Sequence, residues 1–202
     1  MFVITADQIG SRRGSDLVPD VLSRLTERSS DGVLLPFVRT VGDEIQGVLS
    51  NAEAALDVIL YLVRLGEWSI GLGVGPGVLR ATAPESRGEV FISARTAVER
   101  AKGRGLPVPM AIESGDGERA AKVEPLVHLL ACVVAGRSSA TWRVLDAFDE
   151  LEAEGGERSG ARVAELLMIS PQAVSKHRRE SLVETERAAR PALAEQLEHL
   201  NS

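Results

Sequence analysis

Two aspartates stand where one predicted strand ends and where a tight turn begins. Asp7 follows the apolar run Phe2–Thr5, and Asp43 lies in the turn VGDE between two strand-like runs. In a β-α-β-β arrangement the first strand lies beside the strand after this turn, which brings Asp7 and Asp43 together. Two adjacent carboxylates repel unless a hard cation lies between them, and oxygen ligands suit Mg²⁺. In the alternative interpretation Asp7 caps the following turn and Asp43 is an ordinary turn residue.

A second group of polar and basic residues surrounds a predicted helix start. Ser170 followed by Pro171 is typical of an N-cap and a first helical position. The spacing of apolar residues predicts a short helix before this point and a second one after it. Polar side chains at the start of such a second helix can reach base edges, and neighbouring cations can bind phosphates. The predicted DNA contacts are Arg162, Ser170, Gln172, Ser175, Lys176, Arg178 and Arg179. The alternative is a helical hairpin whose basic face is only solvated.

The periodicity of apolar residues predicts the elements that must position these side chains. The first half reads β-α-β-β-α-β, followed by a helix and a strand that closes the domain at about residue 113. Asn51 is a predicted N-cap, and the glycines of WSIGLGVG allow close approach of the backbone. We therefore predict an α+β fold, with a ferredoxin-like domain over 1–113, a connecting helix over 114–136 and an all-α helix-turn-helix domain over 137–202.

Composition excludes several classes of protein. The 202 residues are 44% hydrophobic and 26% charged, which is typical of a globular chain. No apolar run approaches the roughly 18 residues of a membrane helix, and no signal segment is recognisable, so we expect a cytoplasmic protein without a membrane partner. The single cysteine, Cys132, excludes an intramolecular disulfide and a cysteine-rich zinc site.

Acidic residues are concentrated in the middle of the chain. The net charge of −6 argues against coating of nucleic acid by bulk charge. Residues 113–157 carry 4 Lys and Arg against 10 Asp and Glu, whereas residues 158–202 carry 7 against 6. A local basic site can therefore exist in the C-terminal segment, because charge acts within roughly 10 Å at moderate salt.

The segment AKVEPLVHLLACVVAG carries an apolar stripe that is typical of packing. Its members are Val127, Leu130, Ala131 and Val134. Cys132 and His128 within the same segment are interpreted as structural rather than reactive. We expect this segment to couple the two domains or to form a dimer.

The first half of the chain resembles the catalytic palm of class III nucleotidyl cyclases. ITADQIGSR resembles the segment of that family that carries a metal aspartate, and RTVGDEIQGVL resembles its hairpin with the second one. The resemblance implies metal binding by Asp7 and Asp43 and nucleotide binding by Arg39, Gly73 and Gly75. GEVFISARTAVERAK resembles the helix with the transition-state Asn and Arg, which implies a catalytic role for Arg95 if the protein is an enzyme.

The chain departs from the cyclase pattern where catalysis would take place. With Arg95 in the arginine position, the expected asparagine falls on Phe91, which has no polar group to hydrogen-bond. TADQIGSRRG, GDEIQGVL and SARTAVERAK together more closely resemble the SatD family. Members of this family from actinobacteria often carry a C-terminal helix-turn-helix. VAELLMISPQAVSKHRR resembles the helix-turn-helix of MarR-like regulators, although Met168 stands where glycine is common.

These observations leave three interpretations. In the first, the chain is a DNA-binding transcriptional regulator: a homodimer binds double-stranded DNA, and the palm senses a nucleotide with Mg²⁺ or forms the dimer. In the second, it is an active cyclase-like phosphoryl-transfer enzyme with two Mg²⁺ on Asp7 and Asp43. In the third, the palm only packs. The loss of the asparagine favours the regulator.

Overall fold

The computed structural model describes residues 1–11, 14–28, 31–103, 105–155 and 159–201. It is a mixed α+β structure. The strands are β1 Phe2–Gln8, β2 Val33–Arg39, β3 Glu44–Leu49, β4 Trp68–Val74 and β5 Met110–Ser114. The helices are α1 Val18–Arg28, α2 Ala52–Leu65, α3 Glu89–Ala101, α4 Gly117–Ala135, α5 Ser139–Ala153, α6 Gly160–Leu167, α7 Pro171–Glu180 and α8 Val183–Glu198, followed by a 3₁₀ turn, His199–Asn201. The predicted order of elements is confirmed through β5.

The strands form one sheet in the order β2-β3-β1-β4-β5. All neighbours are antiparallel except β4 and β5, which are parallel. The predicted pairing of β1 with the strand after the hairpin is confirmed by a register that runs from Phe2 opposite Leu49 to Asp7 opposite Glu44. The first strand was expected to end at Thr5 but extends to Gln8. Pairing on both sides explains the extension, because β3 and β4 both bind this stretch of β1.

Helix α2 begins at the predicted cap. Asn51 Oδ1 accepts a hydrogen bond from the backbone N–H of Ala54 at 2.9 Å. The helix ends at Gly66, whose φ of +74° closes it in the left-handed conformation that glycine adopts at little cost. Nine residues of α2 are buried, which accounts for its nearly continuous apolar sequence.

Side chains of α4 satisfy the backbone of the edge strand β5. Glu124 accepts a hydrogen bond from the N–H of Ile112 at 2.6 Å, and His128 Nε2 donates one to the carbonyl of Met110 at 2.9 Å. Covering an edge in this way leaves fewer backbone groups open for pairing with another strand. The role of His128 is therefore structural, as its sequence context indicates. The predicted apolar stripe of α4 is buried: Val127, Leu130, Ala131 and Val134.

The chain divides into two compact units. Unit 1 comprises Met1–Cys132 and Arg190–Ser202, and unit 2 comprises Val133–Ala189. These units differ from the ranges predicted from sequence, because the chain beyond residue 189 belongs with the sheet. Glu198 accepts a hydrogen bond from the N–H of Ala52 at 2.6 Å, for example.

In unit 2, α5, α6 and α7 pack around one apolar cluster. Its buried members are Val144, Ala147, Phe148, Val163, Ala164 and Val174.

Among the residues that the structure describes, no helix has the length and hydropathy needed to cross a bilayer.

Candidate functional site

The end of β1 and the hairpin between β2 and β3 meet as the sequence predicts. The backbone N–H of Gln8 donates to the carbonyl of Asp43 at 3.3 Å, and Asp7 lies opposite Glu44 in the register. The two predicted metal aspartates are thus on neighbouring segments at one end of the sheet, and both are partly buried.

A lysine that the sequence argument did not consider neutralises Asp7. Lys102 caps the C-terminal end of α3, and its Nζ lies 3.1 Å from Asp7 Oδ2 and 2.7 Å from Glu99 Oε1. Burial alone would lower the pKa of Lys102, but hydrogen bonds to Glu99 and Asp7 raise it above its ordinary value. Lys102 therefore presents a charged ammonium to Asp7 at the end of β1.

The donor set at this end of the sheet fits an ammonium better than Mg²⁺. In the described part of the chain, no cluster of three or more His, Cys, Asp or Glu side chains is arranged to hold a metal ion. Asp7 already has a cation at hydrogen-bonding distance, so a divalent ion would have to compete with Lys102 for that carboxylate.

Arg39, the predicted nucleotide contact, binds neighbouring parts of its own domain. Its Nη2 lies 2.6 Å from Asp16 Oδ2, and its Nη1 donates to the carbonyl of Gly42 at 2.9 Å. The hydrogen bond from Arg39 lowers the pKa of Asp16 most strongly, and a backbone bond from Val18 adds to this against the effect of burial. The guanidinium thus joins the hairpin to the segment before α1.

Gly73 serves the packing of α3 on β4. A Cβ at Gly73 would lie 2.2 Å from the carbonyl oxygen of Val90 and 2.4 Å from the backbone nitrogen of Ala94. Gly71 meets the next turn of α3 in the same way. The predicted nucleotide contact at Gly73 therefore faces a helix, whereas Gly75 has open space where its Cβ would be.

The position that should carry the cyclase asparagine is part of the core. Phe91 is only 8% exposed and packs with Val3, Val48 and Ala94. Arg95, one turn further along α3, is exposed. The ring of Phe91 therefore packs in the core and has no polar group that could hydrogen-bond to a substrate.

The predicted turn between α6 and α7 is confirmed in detail. Ser170 Oγ accepts a hydrogen bond from the N–H of Ala173 at 3.1 Å, and Pro171 is the first residue of α7. Met168 ends α6 with φ 54° and ψ 43°, the left-handed conformation that explains why glycine is common at this point. Its side chain is 91% exposed.

Helix α7 has one buried face and one polar face. Val174 is 1% exposed and belongs to the core of unit 2. Of the five predicted DNA contacts within α7, four are exposed: Gln172, Ser175, Lys176 and Arg179. Among the described residues, neither Lys176 nor Arg179 makes an ion pair.

Two other predicted cations are bound to carboxylates. Arg178 was expected to be free on the outer face, but its guanidinium lies 5.0 Å from the ring centre of Phe148 and 2.5 Å from Glu184. Its position on the side of α7 nearer the core explains the difference. Arg162 pairs with Glu165 at 3.0 Å. Both pairs are partly exposed to solvent, so they contribute little stability.

A buried arginine that the sequence argument missed holds the C-terminal end of α7. Arg137 Nε donates to the carbonyl of Ser181 at 2.9 Å, and its Nη2 lies 3.2 Å from Glu186. The guanidinium also lies 5.0 Å from the ring centre of Trp142. The side chains of Arg137 and Glu186 are 3% and 2% exposed. In the sequence, the only indication of this role is that Arg137 directly precedes Ser138, the N-cap of α5.

His177 attaches the middle of α7 to α5. Its Nδ1 forms a hydrogen bond of 3.1 Å with Thr141 Oγ1. Together with Arg137 and the Ser170 cap, this bond fixes α7 at its start, middle and end. The polar face is therefore presented by a helix with a defined orientation within unit 2.

The chain matches no protein-family model, no curated protein and no solved structure. The assignment of a function accordingly rests on the geometry described above.

Proposed function

We propose that the protein is a DNA-binding transcriptional regulator that inserts α7 into the major groove. The observation that carries this proposal is the face of α7 opposite Val174, which exposes Gln172, Ser175, Lys176 and Arg179. Gln172 lies in the first turn, where recognition helices contact base edges, and glutamine can bond adenine through two hydrogen bonds. Lys176 and Arg179 supply the phosphate contacts.

Unit 1 is proposed as a non-catalytic, cyclase-like palm. The order β2-β3-β1-β4 with antiparallel neighbours supports a ferredoxin-like arrangement to which α3 and β5 add a further crossover. Membership of the SatD family is likewise a proposal, which rests on the resemblance of sequence segments. The pairing of Asp7 with Lys102 and the burial of Phe91 both argue against a two-metal phosphoryl-transfer centre.

The proposed palm forms the dimer or senses a ligand for the DNA-binding unit. Helix-turn-helix readers commonly bind as dimers, with half-sites about 34 Å apart on the duplex. We therefore propose a homodimer in which each copy contributes one α7. Mg²⁺ with a nucleotide at Asp7 and Asp43 remains a prediction, and Lys102 is the group it would have to displace.

Fluorescence anisotropy with a generic duplex across a salt series tests the proposal. Each phosphate contact contributes about −0.9 to the slope of log K against log salt, so the double variant Lys176→Gln/Arg179→Gln should flatten the slope by about 2 per bound copy. The matched control Arg24→Gln/Arg80→Gln removes two exposed arginines of unit 1 and should leave the slope unchanged.

Two results would contradict DNA binding by α7. If the wild-type chain does not bind the duplex at low salt, or if both double variants change the slope equally, α7 does not carry a DNA site. Circular dichroism of both variants would show whether a lost interaction reflects a lost fold.

A further inference from the structure

The first half of α4 and the C-terminal end of α8 line a groove of about 470 Å³. This volume is within the range of small-molecule sites, roughly 300–1,000 Å³. All the lining residues belong to unit 1. They are Arg119, Lys122, Val123, Leu126, Gln196 and His199.

Arg119 presents an oriented cation to the groove. Its Nη1 donates to the backbone carbonyl of His199 at 2.7 Å, and its Nε lies 3.7 Å from Asp116 Oδ2. Its Nη2 makes no hydrogen bond with any residue that the structure describes. A guanidinium fixed in this way has lost part of its conformational freedom before a ligand binds, which favours anion binding.

Lys122 adds a second cation that a ligand can recruit. Its Nζ lies 2.6 Å from Glu118, but the two side chains are 72% and 83% exposed. Exposed pairs of this kind contribute little, so a more highly charged anion can compete with Glu118. His199 and the Gln196 amide supply further polar groups at the opposite wall.

The same groove has an apolar part. Val123 is buried beneath it, and Leu126 is 45% exposed. Arg119, Lys122, Val123 and Leu126 follow each other at the spacing of one helix face, so the cations and the apolar surface are contiguous.

We propose that this groove binds a small organic phosphate monoester. The phosphate is bound by Arg119 and Lys122, because a guanidinium fork matches phosphate oxygens, and the apolar body lies on Val123 and Leu126. Helices α4 and α8 both continue along the chain into unit 2. We therefore assign the groove as an effector site, a role that rests on the proposed function of unit 2.

The experiment measures melting of the full chain with phenyl phosphate as the probe. At about ten times its Kd the probe should raise the melting temperature by roughly 3 °C. Lys122→Gln removes an exposed side chain and should abolish most of the shift, as should Arg119→Gln. The matched control Arg24→Gln, on the exposed face of α1, should keep it.

Two results would overturn the site. One is the absence of a shift in wild type at about 10 mM phenyl phosphate, and the other is a shift that Lys122→Gln and Arg119→Gln both retain. An equal rise in melting temperature with inorganic phosphate would contradict the proposed contact between the apolar body of the ligand and Leu126. The variant Leu126→Ser tests that contact directly.

The effector role is tested separately from ligand binding. Phenyl phosphate should change the Kd for duplex DNA in wild type and not in Lys122→Gln. A shift in melting temperature without a change in the Kd for DNA would overturn the effector role but support the phosphate site. Absence of DNA binding altogether would instead overturn the proposed function.

Discussion

Lys102 Nζ lies 3.1 Å from Asp7 Oδ2, so the carboxylate at the end of β1 has an ammonium partner from the end of α3. The side chains of Lys102 and Asp7 are 33% and 23% exposed, which places the pair between surface and core. The charge of the Asp7 carboxylate is thus balanced by a residue of the chain itself.

Replacing this lysine should allow the two carboxylates that bind it, Asp7 and Glu99, to bind a divalent cation instead. Lys102→Met leaves Asp7 and Glu99 without the ammonium, so we expect a loss of about 1 kcal/mol of stability in metal-free buffer. Millimolar Mn²⁺ should then raise the melting temperature of Lys102→Met but not that of wild type. The measurement is a thermal melt with and without MnCl₂.

Two variants control this experiment. Lys122→Met removes another lysine that pairs with a carboxylate and should show no Mn²⁺ effect, whereas Lys102→Met/Asp7→Asn should lose the effect. Stabilisation of the wild-type chain by Mn²⁺ in a manner that depends on Asp7 would show that Lys102 does not exclude the ion.

The orientation of α7 should depend on Arg137. Arg137→Leu removes the guanidinium that binds Glu186 and the carbonyl of Ser181, and breaking a buried pair of this kind costs about 3–5 kcal/mol. We expect unit 2 to unfold at lower urea concentration and duplex binding to weaken. Trp142 fluorescence in a Trp68→Phe background reports on unit 2, because Trp68 lies in unit 1.

The conservative variant Arg137→Lys separates charge from geometry. Lysine keeps the positive charge but cannot bond Glu186 and Ser181 through a planar fork, so we expect an intermediate loss. Equal stability of Arg137→Leu and wild type would show that the buried pair does not hold α7.

Local signals predicted the elements and their caps, and tertiary partners decided what the site residues do. Ser170 and Asn51 could be recognised because a cap is determined by residues three positions apart. The proximity of Asp7 to the hairpin followed from the order of elements. The decisive contacts of Lys102 and Arg137 could not be identified, because Asp7, Ser181 and Glu186 lie far from these residues in sequence.

The same limit applies to the predicted binding residues. Arg178 and Lys176 are two positions apart on one helix and look equivalent in sequence. Only the packing of α7 on Phe148 draws Arg178 towards the core and leaves Lys176 exposed. Glycine at position 73 is likewise the residue type expected in a strand that binds phosphate. Its role in packing depends on how closely α3 approaches β4, which the sequence does not give.

Glu124 should give unit 1 part of its acid sensitivity. Burial by itself would raise the pKa of Glu124, but hydrogen bonds from Arg100 and from the N–H of Ile112 lower it below the ordinary 4.5. A lowered pKa means that the stabilisation is fully present above about pH 4.5 and is lost as the pH falls through the lower value of the folded state.

Glu124→Gln isolates this contribution because every other acid titrates in both proteins. At pH 7 we expect the variant to be less stable by about 1.5–3 kcal/mol, the size of hydrogen bonds to charged groups. Urea titrations at several pH values should show the difference shrinking below pH 4.5. The matched control Glu27→Gln replaces a glutamate on the exposed face of α1, where the loss of one charge contributes little to stability. A Glu124→Gln difference that stays constant down to pH 3, about 1.5 units below the ordinary value, would mean that the side chain stabilises β5 by packing rather than by its charge.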